Sequence, residues 1–361
     1  MAEIYGNYQD LLDATERRAK SMEILGNTVD GSPIVAARGG GDKTPAIFIT
    51  AGSHSTEHAG VSAAVQCVDE LETDHRVFVI PTRDPIGLDG FAHALSLGLG
   101  EGAEFETFDD IEEILRSRGV VLFEEDDMVL ALVGDYGYVI EPSSQGVRNP
   151  QGQVYGRLQR LHHEQPEVLA PLLGRRVYQT PGQREIEGTG DFDRAYTLIV
   201  ALDGEILHIN RFHDTVWAPV EPRVTVQLLE RIRPGLSFDL HESADMDNRF
   251  WLSARHLPDE EGEEWEQRAA RATIQAIEQS GAILASDSDA PSQWFDRGDQ
   301  AVFWLDPSRR GEGYNLMDFC SRTYGMAFGT EMGMFDTFDH RVELAMITVR
   351  TAVSIFEERW C

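Results

Sequence analysis

The stretch ITAGSHSTEHAG, residues 49–60, sets His54 and Glu57 three positions apart just after a β-branched apolar run. Both side chains can bind a metal, but a single H-x-x-E pair recurs by chance and needs a third ligand. LSFDLHES (236–243) offers one, because its apolar run ends on His241, with Asp239 two residues back on the same face of an extended strand. Two imidazoles and one carboxylate around an open position make the ligand set of a catalytic zinc, which lowers the pKa of its bound water to about 7. Such a centre needs a proton carrier. MAFGTEMG (326–333) supplies Glu331 near the end of another apolar run, where a carboxylate is costly to bury without a purpose. His58, directly after Glu57, is a candidate to orient it or a second metal.

The elements that must position these groups are readable from periodicity. AIFIT (46–50) and RVFVIP (76–81) read as strands flanking a helix at 57–71, on which Val61, Ala64, Val65 and Val68 form one apolar face. That β-α-β unit puts His54 and Glu57 at the carboxyl edge of a parallel sheet, where ligands of open α/β sheets collect. LSFDLH and MAFGTEMG read as further buried strands, and 341–360 as a closing helix. The expected fold is α/β, a mixed and mostly parallel sheet with helices on both faces, in one catalytic domain spanning 1–361. Residues 95–207 differ, being rich in Gly and acids, and read as an inserted α+β lobe. The lobe holds a helix (DDIEEILRSRG), strands (VVLF, MVLALVG) and a hairpin over 196–209 turning at Asp203-Gly204, a pair suited to a type I′ turn. Such a lobe either walls a cleft or is purely structural. His162 and His163 fall in a polar helix and His75, His93 and His256 in loops, so all five read as solvated. Cys67 reads as core filler; with Cys320 and Cys361 it makes an odd, widely spaced set that suggests neither a disulfide framework nor a metal knuckle.

In their order along the chain, these motifs resemble the zinc metallocarboxypeptidase family (carboxypeptidase A-like peptidases). ILGNTVDGSPIVAARGG (24–40) is similar to the family's opening segment and AGSHSTEHAG to its first metal motif. IPTRDPIGLDGF (80–91) resembles its Asn-Pro-Asp-Gly strand end, FDLHES its third-ligand strand, and GTEMG its catalytic glutamate strand. The resemblance covers roughly 20–92 and 206–358. It implies that His54, Glu57 and His241 hold one zinc ion and that Glu331 is the general base and acid. In HINRFHD, it implies that Asn210 and Arg211 grip the substrate's terminal carboxylate, which a planar guanidinium can do with two parallel bonds. Departures accompany it. Asp84 stands for the motif's Asn, Ile86 for its second acid, and the arginine that should polarise the scissile carbonyl is absent, leaving Arg83, Arg184 or Arg194 as stand-ins. The substrate-binding tyrosine is Tyr314 or, in competition, Tyr324. The expected substrate is a peptide. The related succinylglutamate desuccinylase/aspartoacylase group, which deacylates N-acyl amino acids, is the nearest rival, although Ser55 replaces that group's usual Gly. A non-catalytic carboxylate-binding module is the rival from another class.

Length and charge bound the rest. A chain of 361 residues, 42% hydrophobic, can bury a full core. The net charge of −31 would repel a phosphate backbone, which argues against nucleic acid as partner. No window of about 18 apolar residues suggests a membrane span, and no apolar leader opens the chain, so a soluble, cytoplasmic protein is expected. Lys20 and Lys43 are the only lysines among 31 basic residues, a composition like that of proteins adapted to high salt. Repulsion among surface carboxylates is screened within about 3 Å at 1 M salt, against about 10 Å at 0.1 M. The melting temperature should therefore climb by several degrees from dilute to molar KCl. Thermal melts that stay flat or fall would contradict salt adaptation.

Overall fold

The run AIFITA is buried residue after residue, as in a strand covered on both faces. In the computed structural model, which describes residues 2–146, 149–180, 186, 190, 192–257, 259–289, 295–305 and 314–360, it forms most of β3 (Lys43–Ala51). β3 is an inner strand of a ten-stranded sheet. The order is β1 (Ser21–Asn27), β2 (Pro33–Gly40), β4 (His75–Ile80), β3, β11 (Leu236–Ser243), β16 (Met326–Gly333), β12 (Arg249–Ala254), β15 (Val302–Leu305) and β14 (Phe295–Asp299), with β13 (Ile283–Leu284) beside β12. β4, β3, β11 and β16 run parallel, while the β1–β2, β2–β4, β16–β12 and β15–β14 pairings are antiparallel. The sheet is mixed, as expected, with its parallel part at the centre.

Side chains alternate between two cores. Ile47, Ile49 and Ala51 of β3 and Leu236, Phe238 and Leu240 of β11 pack under α1 (Tyr8–Arg18), α2 (His58–Glu70), α9 (Glu260–Gln279) and α11 (Phe338–Arg359). Ala46 and Phe48 turn to the other face, under α8 (Val220–Ile232) and α10 (Leu316–Thr323). Helices thus cover both faces. The chain leaves β3 for β4 on one side and β11 for β12, beyond β16, on the other, which opens a crevice at the carboxyl ends of β3 and β11.

After β4 and the short α3 (Pro85–Leu88), a second, six-stranded sheet follows in the order β10 (Ile206–His208), β9 (Tyr196–Val200), β8 (Arg176–Gln179), β7 (Tyr136–Ile140), β6 (Met128–Val133), β5 (Val120–Glu125). It too is covered on both faces, by α4 (Gly90–Leu99) and α5 (Phe108–Arg118) on one and by α6 (Pro150–Glu164) and α7 (Pro166–Leu169) on the other. The β9–β10 hairpin forms, but not through a type I′ turn. Gly204 has φ +90° and donates its N–H to Ala201 O, so Leu202 and Asp203 are the central pair and only the glycine is left-handed. The longer loop spares Asp203 the cost of a positive φ.

Three histidines expected in solvent each meet a protein partner, His75 fully buried and His93 and His256 only in part. His75 opens β4, fully buried, with Nδ1 2.7 Å from Pro45 O. His93 lies on α4 and meets Asp30 at 2.8 Å, and His256 stacks on Trp304 with centroids 4.5 Å apart. In each case a partner removes the cost of burying the ring. Among the described residues no helix is long and apolar enough to cross a membrane.

One buried ion pair ties the layers together behind the crevice. Glu242 of β11 accepts from Arg341 of α11, and its other oxygen caps α2 by accepting the Ala59 N–H at 2.6 Å. Helix and strand are pressed so close that a Cβ on Gly60 would lie 2.7 Å from Leu240 O. Removing one partner would strand a charge with 0% exposure. Glu242→Ala should thus cost about 3–5 kcal/mol in urea denaturation, and Glu242→Leu with Arg341→Met should recover most of it. Equal losses in both would refute that account.

Candidate active site

β3 ends at Ala51 and the chain turns at Gly52, whose φ is +60° and whose Cβ, were there one, would lie 2.5 Å from Thr82 Oγ1. The turn carries His54 and Glu57 over the end of β11. There the Glu57 carboxylate lies between two imidazoles, Oε1 at 2.6 Å from His54 Nδ1 and Oε2 at 2.8 Å from His241 Nδ1. One ligand atom from each of the three falls within 4.8 Å of the others. Burial opposes charge on all three. At His54 it prevails and lowers the pKa. At His241 the flanking Asp239 and Glu57 override it and push the pKa well up, while the two imidazoles hold Glu57 low.

His241 is braced from behind. Its Nε2 lies 2.9 Å from Asp239 Oδ2, which also accepts from Asn210 Nδ2 at 2.9 Å. Asp239 Oδ1 accepts from Arg83 Nη2 at 2.6 Å, and Arg83 Nη1 donates to Asn210 Oδ1 at 3.1 Å. Burial favours a protonated Asp239, but Arg83 and His241 outweigh it and hold the group far below the usual carboxylate range. Asn210 Oδ1 takes a further bond from the Leu316 N–H, so both ends of that amide are occupied by the protein. Arg83 is fully buried in this network and Arg194 donates to the carbonyls of Tyr5, Gly6, Leu88 and Asp193. Neither therefore serves as the missing arginine. Arg184 lies outside the described residues.

Glu331 stands opposite His241 in the β11–β16 register, on the same face of the sheet. Burial raises its proton affinity well above that of a free carboxylate; His241 opposes the shift and Glu57 and Asp239 add to it. Arg211, in the turn after β10, is half-buried, and its charge reaches His54 and His208. Tyr314 is tied through its backbone to Asp214 and His213, with its ring 4.3 Å from the Arg322 guanidinium. Tyr324 precedes β16 and so lies at the opposite, amino edge of the sheet. His58 is buried at the start of α2, and Cys67 sits in the core, its thiol pushed up to about 12 by burial.

Two contributors escaped the sequence reading. His208 Nδ1 lies 2.9 Å from His54 Nε2, and Tyr196 stacks on the His54 ring at 5.2 Å. Burial, with Arg211 next in weight, drives the pKa of His208 far down. Both come from the second sheet, and the loop that carries His54 and Glu57 is held beside it where Ser55 Oγ donates to Ala195 O and Gln151 of α6 to Thr56 Oγ1. The lobe thus walls one side of the site. His208 ends β10 two residues before Asn210, and its closeness to the Asn-Arg pair in HINR was the one signal the sequence offered.

No protein-family model matches the sequence, and a search of curated proteins finds no match. Among solved structures, the chain is similar to a candidate metallopeptidase from Shewanella denitrificans, with 11% identity, 97% of this chain and 90% of that one covered, and a TM-score of 0.50. The chain shares the fold of that structure. A metallo-carboxypeptidase from Pseudomonas aeruginosa, in complex with (2-guanidinoethylmercapto)succinic acid, is similar at 13% identity, with 97% and 69% of the two chains covered and a TM-score of 0.49. At such identities the likeness is one of fold alone, and the His-Glu-His cluster at the crevice is this chain's own.

Proposed function

We propose that the protein is a zinc-dependent hydrolase that cleaves an amide bond next to a free carboxylate, acting as a metallocarboxypeptidase on peptides. The observation that carries this reading is the convergence of His54 Nδ1, His241 Nδ1 and the Glu57 carboxylate, with Glu331 beside His241 on the next strand. The donors fit zinc. Two nitrogens and a carboxylate are its usual ligands, and both imidazoles turn their outer nitrogen to a protein partner, as ligating histidines do. A zinc ion held there would polarise the scissile carbonyl and activate a water molecule.

The chain's own residues do the rest. Glu331 takes a proton from the attacking water and delivers it to the leaving nitrogen, and its raised proton affinity suits a group that must hold that proton in between. Because both ends of the Asn210 amide are occupied, the grip on the substrate carboxylate falls to Arg211, with Asn210 fixing the turn beneath it. Tyr314, tied to His213 beside Arg83, is assigned a further contact to substrate.

His241→Ala should lower zinc content from about one per chain to near none while far-UV circular dichroism stays native, because the apolar side of β11 is intact. Full zinc retention by that variant would remove the metal assignment. Kinetics on short peptides with free and amidated C-termini, and on N-acyl amino acids, test the chemistry. Glu331→Gln should keep zinc and lose about a thousandfold in kcat. Arg211→Ala should raise KM by about 10- to 100-fold for free-carboxylate substrates only. Wild-type turnover by Glu331→Gln would refute the mechanism, and a preference for N-acyl amino acids over every peptide would replace peptidase by deacylase.

A further inference from the structure

His54 and His241 offer the same ring nitrogen to Glu57, yet the nitrogens they turn away meet different partners. His241 Nε2 has a carboxylate, Asp239 Oδ2 at 2.9 Å. His54 Nε2 has another imidazole, His208 Nδ1 at 2.9 Å, with the rings 4.7 Å apart at 64°. We infer that His208 is a positioning residue that holds His54 through an uncharged acceptor, so that the metal centre is braced by an anion on one side only. The inference rests on the reading of His54, Glu57 and His241 as metal ligands.

An imidazole that gives Nδ1 to a metal carries its hydrogen on Nε2 and must donate it. The atom facing His54 Nε2 can accept only as the bare nitrogen of a neutral ring, so His208 carries its own hydrogen on Nε2. The geometry also locks the ring, since His208 is 7% exposed and lies against Tyr155, at 5.6 Å between centroids. A carboxylate at this position would make a charge-assisted bond about twice as strong and a more basic ligand. It would also put a negative charge within reach of Arg211, whose charge already acts on His208. An anion there would compete with the substrate's carboxylate for the guanidinium. A neutral ring orients His54 without that competition.

Two quantities should then move in opposite senses. Zinc affinity is measured by chelator competition on the full chain, alongside KM for a peptide with a free C-terminus. His208→Phe fills similar space but accepts no hydrogen bond, and should weaken zinc binding by about 10- to 100-fold. His208→Asn restores a neutral acceptor and should return affinity to within about threefold of native, with KM unchanged. His208→Asp should bind zinc more tightly than native yet raise KM about tenfold or more. Metal-free melts of each variant verify that the protein being titrated is folded. If His208→Phe binds zinc as tightly as native, or if the Asn and Asp variants are as weak as Phe, the role is packing alone and the inference falls. If native protein and His241→Ala bind zinc equally weakly, the metal reading itself fails and this inference with it; tight native binding with a flat His208 series overturns this inference only.

Discussion

A single carboxylate, that of Glu57, bridges two imidazoles that come from segments distant in sequence and adjacent in space, and the arrangement of the molecule follows from holding it there. Glu57 is 4% exposed, so its charge is tolerable only with partners on both oxygens. His54 reaches it from the turn that Gly52 allows. His241 reaches it because β11 lies next to β3, with Leu240 opposite Ala51. The same β11 sends its next residue, Glu242, to cap the helix that begins just after Glu57. One strand therefore fixes both the far ligand and the helix behind the near one.

The charge distribution makes the same point on a larger scale. A chain carrying −31 has few cations to spare, yet several arginines are spent inside. Arg83 faces Asp239, Arg341 faces Glu242 and Arg176 faces Glu221, each pair with side chains at most 6% exposed. Buried pairs add little net stability over apolar residues of the same shape, but they punish misplacement of either partner. Around the site that penalty acts as a geometric constraint: Arg83 sets Asp239, Asp239 orients the His241 ring, and Asn210 joins both to the turn that presents Arg211.

Much of this was legible in the sequence, where periodicity and polarity agree. β3, α2, β11, β16 and α11 were read to within a few residues, because each is a run with one pattern, and His54, Glu57, His241 and Glu331 lie at or near the ends of those runs. What was not legible depends on tertiary partners. His75, His93 and His256 are polar residues in short or irregular segments, and nothing local reveals that a carbonyl, a carboxylate or an indole awaits them. β8 has four residues and no periodicity to speak of. Arg83 and Asn210 looked available to a ligand because sequence shows a side chain's chemistry and not its occupancy. His208 and Tyr196 were missed because they belong to the second sheet, which packs against a loop 140 to 154 residues earlier.

The central claim, that His54, Glu57 and His241 form one zinc centre, is tested most directly by anomalous diffraction at the zinc edge from crystals grown with zinc. The account predicts one strong peak about 2.0–2.1 Å from Nδ1 of both histidines and within bonding distance of Glu57, with Nε2 of each ring still on His208 and Asp239. A peak reached through the Nε2 atoms, zinc held only at the separate Asp30, Asp89 and His93 cluster, or no ordered zinc at all would contradict it.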